Sequence, residues 1–170
     1  VRQFQKGWQV TGSKKATSAK FGLFKAKYRD GDWNCNPDAL NNLVSQITSW
    51  SKNRIKARLH EEVVDVGSDQ LFSVKPPFLY LTGDKDFHLT DQEVKNIKDY
   101  LLVGGAIWAD NAGPGKGTPF DLALRREMKR VLPDRDFEVI PDEHDIYNSF
   151  FENLSLPKGI NAKPDPNEKI

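Results

Sequence analysis

The chain has 170 residues, of which 38% are hydrophobic and 29% are charged, and its 25 basic residues nearly balance its 24 acidic ones. That size and composition are typical of one globular domain of roughly 100–200 residues. A net charge of +1 argues against nucleic-acid binding through bulk charge. A single cysteine excludes an internal disulfide and a multi-cysteine metal site. No apolar run in the chain approaches the roughly 20 residues of a transmembrane segment.

The sequence divides into three parts. We assign residues 1–19 to an N-terminal extension, residues 20–155 to an α/β domain, and residues 156–170 to a polar C-terminal tail. Polar chain ends are typical of solvated termini. The sequence begins with Val1 and shows no signal peptide, so we expect a processed or excised fragment.

Helix-start signals recur along the chain. Asn36 followed by Pro37 predicts a cap and the first position of a helix. Thr90 with Glu93 three residues later forms a capping box. Thr118, followed by Pro and an apolar helical pattern, opens another helix. Between these helices lie short apolar runs typical of strands.

The alternation of strands and helices predicts a layered α/β fold. Strands are expected at 21–28, 55–66, 78–83, 106–109 and 137–140, and helices at 38–50, 90–103, 118–131 and 144–154. About five strands and four helices predict a three-layer, flavodoxin-like open sheet that is mostly parallel, with helices on both faces.

Ligands in an open α/β sheet bind outside the carboxyl ends of the strands, so polar residues that follow strands form the candidate site. The candidate ligand-binding residues are Asp30, Asp32, Trp33, Asn34, Asp84, Asp110, Asn111 and His144. Converging carboxylates and a His suit a divalent cation or acid–base chemistry, and Asp32, Asp110 and His144 are the candidate metal ligands. The alternative is that these carboxylates cap helices and loops.

Three further motifs are incomplete. A nucleophilic Cys35 would need a sharp strand-to-helix turn and a His in reach, and a lone Cys is more often an inert buried side chain. Residues 30–36 alternate like a calcium loop, but Cys35 stands where that loop requires Gly. Residues 113–118 are glycine-rich but do not match the P-loop spacing, and Pro114 has no N–H to donate. The sequence therefore indicates no cofactor.

Several groups of residues match a known pattern in order along the chain. They are Tyr28 with Gly31-Asp32-Trp33; Phe78-Leu79-Tyr80-Leu81-Thr82-Gly83 with Asp86-Phe87; Tyr100-Leu101-Leu102 with Gly104-Gly105 and Ala109-Asp110; Phe120-Asp121 with Arg125-Arg126-Glu127-Met128 and Val131-Leu132-Pro133; and His144 with Ile146-Tyr147 and Ser149-Phe150. Together they span residues 20–155 and resemble the bacterial domain-of-unknown-function family 4159.

The resemblance implies a fold similar to the class I glutamine amidotransferase-like group, including its trehalose-utilisation-like branch. It implies a bacterial protein that is often exported or attached to a membrane protein, and it implies no established reaction. The chain departs from the family's pattern after two strands. Asp84-Lys85 stands where a His is expected nearby, and Asn111 with a longer glycine loop follows Asp110.

The sequence contains no nucleophile elbow, nucleotide loop or complete metal motif. This favours a non-catalytic accessory or protein-interaction domain, and the resemblance implies that it belongs to a bacterial exported or membrane-associated assembly. We expect a protein or membrane-protein partner, and a periplasmic or otherwise extracytoplasmic location, with the cytoplasm as the alternative. The alternative function is a hydrolase-like, metal-binding or small-ligand-binding domain with its site at the carboxyl ends of the strands.

Overall fold

Helices and strands alternate along the chain from the first strand onward. The computed structural model describes residues 23–50, 62–113, 115–141 and 143–148. In chain order the elements are β1 (Phe24–Lys27), α1 (Ala39–Trp50), β2 (Glu62–Asp65), α2 (Gln70–Val74), β3 (Phe78–Gly83), α3 (Asp91–Leu102), β4 (Ala106–Asn111), α4 (Pro119–Val131) and α5 (Asp145–Asn148).

The four described strands form one all-parallel open sheet in the order β2-β1-β3-β4, which confirms the predicted α/β class. Lys25 on β1 lies opposite Val63 on one side and Tyr80 on the other, so β1 is an interior strand. Tyr80 in turn lies opposite Trp108. This is the order of the first four strands of a flavodoxin-like sheet, in which a crevice forms at the carboxyl ends of β1 and β3.

Helices pack on both faces of the sheet. Side chains alternate between the two faces along a strand, so Leu23 and Tyr80 lie on one face, where they cluster with Leu40 and Val44 of α1. The opposite face carries the larger core, which α2, α3 and α4 cover. Buried members of that core outside the strands include Leu71, Phe87, Leu89, Ile97, Tyr100, Phe120, Ala123 and Val131.

The two long helices on the larger core begin where their capping signals predict. The Thr90 hydroxyl accepts a hydrogen bond from the Glu93 amide at 3.2 Å, and the Glu93 carboxylate accepts one from the Thr90 amide at 2.7 Å. Thr118 likewise accepts from the Asp121 amide at 3.2 Å, with Pro119 in the first turn. Among the described helices, none is long and apolar enough to cross a lipid bilayer.

The predicted fifth strand at 137–140 is wrong. This segment is irregular and pairs with no described strand, and Phe137 remains 54% exposed. Its alternating apolar pattern suits a strand, but basic residues of α4 hold the chain elsewhere. Lys129 Nζ donates to the Arg135 carbonyl at 3.3 Å, and the Arg125 guanidinium stacks on the Phe137 ring at 5.3 Å.

The remaining differences concern one helix that was not predicted and the bounds of other elements. Helix α2 has no counterpart among the predictions, because it has only five residues and its cap residue, Asp69, makes no side-chain capping bond. Strand β4 runs two residues beyond the predicted 106–109. Three predicted elements, at 21–28, 55–66 and 144–154, lie partly outside the described residues, and their described parts contain β1, β2 and α5.

Gly105 allows a close contact at the edge of the larger core. A Cβ atom there would lie 2.3 Å from the Tyr100 ring, whose hydroxyl oxygen is 3.0 Å from the carbonyl oxygens of both Pro76 and Ala106. We expect Gly105→Ala to lower the free energy of unfolding by about 1–3 kcal/mol in urea denaturation, because the ring cannot shift without losing these bonds. Gly67→Ala is the comparison variant and should cost less, since its Cβ would come no closer than 3.3 Å to the side chains of Asp65 and Glu93. Equal losses in both variants would contradict this explanation.

Candidate functional site

The carboxylate of Asp32 bridges the crevice between β1 and β3. Its Oδ1 accepts hydrogen bonds from the backbone amides of Asp84 at 3.0 Å and Lys85 at 3.1 Å. Asp30, in the same loop after β1, accepts from the His88 amide at 3.1 Å through Oδ2. The two Asp side chains therefore join the loop after β1 to the loop after β3.

Beside this crevice, the sheet face covered by α1 carries a layer of polar side chains. Lys25 is fully buried on β1, and its Nζ donates to Asn34 Oδ1 at 2.7 Å and to the Asn36 carbonyl oxygen at 3.4 Å. These acceptors offset part of the free-energy cost of removing the ammonium group from water. Lys25 therefore ties its strand to the loop that precedes α1.

Tyr80 continues the polar layer on β3. Its hydroxyl donates to Asp110 Oδ2 at 2.5 Å, and burial together with this bond raises the pKa of Tyr80 well above its usual value of 10.0. The phenol therefore stays protonated and acts as a donor at neutral pH. Thr82 is fully buried and donates to the Asp110 carbonyl at 2.9 Å. Cys35 Sγ lies 3.9 Å from the Thr82 hydroxyl oxygen.

Two buried glutamates hold the loops around the crevice. Glu93, from α3, accepts from the Arg29 amide and from the Thr90 amide, each at 2.7 Å. Glu127, from α4, accepts from the Leu89 amide at 3.2 Å. Both glutamates are at most 1% exposed. Their charge-assisted hydrogen bonds are therefore shielded from water, which strengthens them.

Two arginines of α4 form ion pairs with Glu127. Arg126 Nε and Arg130 Nη1 lie 2.8 Å and 2.5 Å from its carboxylate oxygens. Arg126 also donates to the Phe87 carbonyl, and Arg130 donates to the Leu89 carbonyl. Burial by itself would raise the pKa of Glu127, but the hydrogen bonds from the arginines and the Leu89 amide outweigh it and lower that pKa.

Asn111 and His144, two further candidates, have local partners. Asn111 Oδ1 accepts from the Thr118 hydroxyl at 2.9 Å, and its Nδ2 donates to the Gly115 carbonyl at 2.8 Å. Asn111 thereby closes the glycine loop before α4. His144 is exposed, and its Nδ1 accepts from the Ile146 amide at 3.1 Å.

The structure gives the predicted residues different partners. Asp32 meets the backbone of Asp84, and Asp110 meets the hydroxyl of Tyr80. Within the described parts of the chain, no three His, Cys, Asp or Glu side chains lie close enough together to hold a metal ion. Asp32, Asp110 and His144 do not form such a group there, and the ligand-binding role of the candidate residues stays a prediction.

A cleft of about 550 Å³ opens beside the crevice, above the carboxyl ends of β1 and β2 and next to the N-terminus of α3. Its volume falls within the roughly 300–1,000 Å³ typical of small-molecule sites. Trp33 is half-buried against the larger core and supplies an aromatic wall of the cleft. The polar residues that line it include Lys27, Arg29, Asp65, Ser68, Gln92 and Glu93.

Reasoning from the sequence missed the polar layer on the α1 face. A signal for it was present, because Tyr80 and Thr82 are polar side chains two residues apart on one strand and Lys25 is a polar side chain within the apolar run of another. A period of two residues places such side chains on one face of a sheet. The register that aligns the two strands could not be read from either segment alone.

These features define an α/β domain on an open parallel sheet whose carboxyl-edge crevice is bridged by its own side chains. A family model described as "Domain of unknown function (DUF4159)" matches residues 22–168. The chain belongs to that family, which confirms the resemblance inferred from its motifs. The match also includes most of the segment that the sequence suggests is a tail. A comparison with curated proteins found no match.

The structural role of Asp32 can be tested by removing its carboxylate. We expect Asp32→Ala to lower the free energy of unfolding by about 1–3 kcal/mol in urea denaturation, because the amides of Asp84 and Lys85 lose their acceptor. Asp84→Ala is the control, since that exposed carboxylate makes no hydrogen bond to another described residue. It should change stability by no more than about 0.5 kcal/mol. An equally large loss in Asp84→Ala would show that removing a negative charge, rather than removing the acceptor of two amides, destabilises the domain.

The lowered pKa of Glu127 predicts a specific dependence of stability on pH. Its carboxylate stabilises the fold at pH values above its usual pKa of 4.5, and this stabilisation is lost as the pH falls through the lower folded-state value. We expect Glu127→Gln to be less stable than the wild type by about 1.5–3 kcal/mol at neutral pH. Below pH 4.5 the difference should shrink.

Urea denaturation across a pH series measures this difference. Glu138→Gln, which removes the same charge from an exposed position, should follow the wild-type pH profile. A constant difference between Glu127→Gln and the wild type at every pH would rule out the ionised carboxylate as the stabilising group.

Proposed function

We propose that this chain is a non-catalytic accessory or protein-interaction domain of a bacterial exported or membrane-associated assembly. The observation that carries this proposal is that strand-end carboxylates bind the protein's own donors. Asp32 accepts from two backbone amides, and Asp110 accepts from the Tyr80 hydroxyl. A general acid or base must instead reach a proton of the substrate. The bacterial and extracytoplasmic setting rests on the family resemblance.

Exposed apolar side chains on one side of α4 support an interaction role. Leu122 and Phe137 are 58% and 54% exposed. Leu122 lies three residues before Arg125 and therefore on the same side of the helix, and Arg125 stacks on Phe137 at 5.3 Å. Single exposed apolar residues are normal, whereas grouped ones mark interaction surfaces.

A second candidate function is the binding of a small ligand in the cleft above β1 and β2. The observation in its favour is that Trp33 and two cations, Lys27 and Arg29, line the same cleft. Asp65 and Glu93 line the cleft as well, so this combination suits a planar molecule with a single acidic group, whose ring would stack on the indole while the acidic group pairs with a cation. Such a ligand would raise the melting temperature of the wild type and not that of Lys27→Glu.

The leading proposal can be tested by expressing the tagged chain in the bacterium that encodes it, followed by brief chemical cross-linking and sedimentation. We expect the wild type to sediment faster than the purified chain and to carry a reproducible partner. Asp110→Asn should retain that partner, because the proposal gives this carboxylate a structural role. The purified chain should show no turnover of esters, amides, glycosides or phosphate esters, with or without divalent cations.

A catalytic function would give the opposite pattern. The decisive contrary result is turnover of one of these substrates that is lost in Asp110→Asn and kept in Asp134→Asn, which removes an exposed carboxylate. A cross-linked chain that sediments like the purified chain would equally contradict an interaction role.

A further inference from the structure

A groove of about 330 Å³ lies between α4 and the chain that follows it. We call it the α4 groove and define it by Arg125, Met128, Lys129, Leu132, Arg135, Asp136 and Phe137. Three of these residues are apolar. The volume of the groove lies at the lower end of the roughly 300–1,000 Å³ of ligand pockets. The groove is thus large enough for one bulky side chain.

The charges around the α4 groove are unequal. Two of its three cations have acidic partners: Arg125 Nε lies 2.9 Å from Asp121 Oδ1, and Lys129 Nζ lies 2.8 Å from Asp136 Oδ1. For Arg135, no described residue accepts a hydrogen bond from the guanidinium or pairs with it. Arg135 is therefore the cation of the groove that has no acidic partner among the described residues, although Asp134 and Asp136 flank it in the chain.

The walls of the α4 groove are fixed by contacts within the protein. Lys129 Nζ donates to the Arg135 carbonyl at 3.3 Å, which holds the following segment against the helix. The Arg135 amide donates to the Leu132 carbonyl at 3.1 Å and closes the turn. Arg125 stacks on the Phe137 ring at 5.3 Å. A preformed groove loses little conformational entropy when a ligand binds.

We propose that the α4 groove binds a short acidic and apolar peptide segment of a partner protein. This inference rests on the proposed interaction function and assigns it a surface. One aromatic or branched side chain of the segment packs against Met128, Leu132 and Phe137. A neighbouring carboxylate pairs with Arg135, because the planar guanidinium binds a carboxylate through two parallel hydrogen bonds.

The charge pattern favours a peptide over an anionic membrane surface. Membrane binding through lipid headgroups is typical of clusters of roughly 4–8 Lys or Arg residues. The α4 groove has three cations, and Asp121 and Asp136 stand among them. Those carboxylates repel lipid phosphates across a flat contact, whereas a peptide can place one carboxylate at Arg135 and avoid them.

The test uses a fluorescent hexapeptide with Leu and Phe at its centre, one Glu next to the Phe and uncharged polar residues at the other positions, titrated with the full chain while anisotropy is recorded. We expect saturable binding that weakens with added salt. Arg135→Glu should weaken it roughly 10- to 100-fold, and Phe137→Ser should weaken it without changing the salt dependence. Lys98→Glu is the matched control, because it makes the same charge change at an exposed position on α3 and should have no effect.

Two control peptides separate the contribution of charge from that of apolar contact. One replaces the Glu by Gln, and the other replaces Leu and Phe by Ser; both should bind more weakly than the parent peptide. Equal weakening by Arg135→Glu and Lys98→Glu would overturn the inference in favour of unspecific attraction. Failure of the parent peptide to saturate would overturn it as well.

Other occupants of the groove give distinct results. Binding to phosphatidylglycerol vesicles that depends on Arg135 while the peptide does not bind would assign the groove to a membrane. Concentration-dependent dimerisation that Arg135→Glu abolishes would assign it to a second copy of the chain. Either result overturns the peptide assignment.

The cross-linking experiment separates this inference from the proposed function. If Arg135→Glu and Phe137→Ser still capture the partner as the wild type does, the groove assignment fails and the interaction function stands. If the wild type binds the peptide but captures no partner, the interaction function fails. Loss of capture in both variants, with normal capture by Lys98→Glu, supports both.

Discussion

The carboxyl edge of this domain depends on two buried carboxylates that accept hydrogen bonds from loop amides. Glu93 on α3 binds the Arg29 amide after β1, and Glu127 on α4 binds the Leu89 amide after β3. Burying a carboxylate is unfavourable unless it is well paired. Glu93 gains three donors, and Glu127 gains two arginines and an amide. The helices thereby determine the positions of the loops, rather than the loops being shaped by local turns.

The crevice and the α4 groove have different physical characters. In the crevice, Asp32 and Asp110 are bound to groups of the protein itself. In the α4 groove, apolar surface is exposed beside Arg135, whose guanidinium has no acceptor among the described residues. A site whose polar groups are already paired gains little by binding a ligand, because each new hydrogen bond replaces an old one. On the proposed function, the edge of the sheet would serve as a support, and recognition would take place where polar and apolar groups are still accessible.

Local rules predicted much of the fold. The capping residues Thr90 and Thr118 predicted two helix starts, and the apolar run at 78–83 predicted β3, because each of these signals lies within a few residues of chain. The prediction of a fifth strand was wrong because the signals that decide this segment's position are not local. Residues 137–140 have the right alternation, but their position depends on α4 side chains that a local pattern does not include.

The sequence predicted which loops form the candidate site, but not which groups their side chains bind. Asp30 and Asp32 do lie at the crevice, yet the amides they bind are more than fifty residues away in the chain. Glu93 was recognised as a capping residue, whereas its bond to the Arg29 amide exists only because α3 packs beside the loop after β1. The buried position of Lys25 likewise depends on the register between neighbouring strands.

The bonds to the buried glutamates have a consequence for the dynamics of the loops. The amide hydrogens of Arg29, Leu89 and Thr90 belong to residues outside any helix or strand, where exchange with solvent is usually fast. Each of them points to a carboxylate that is at most 1% exposed. The Arg29 and Leu89 hydrogens exchange when α3 and α4, respectively, separate from the loops, so these two amides share the opening free energy of the helices, whereas fraying of the first turn of α3 releases the Thr90 amide. The cooperative unit of the domain therefore extends through loops that a secondary-structure diagram would show as free.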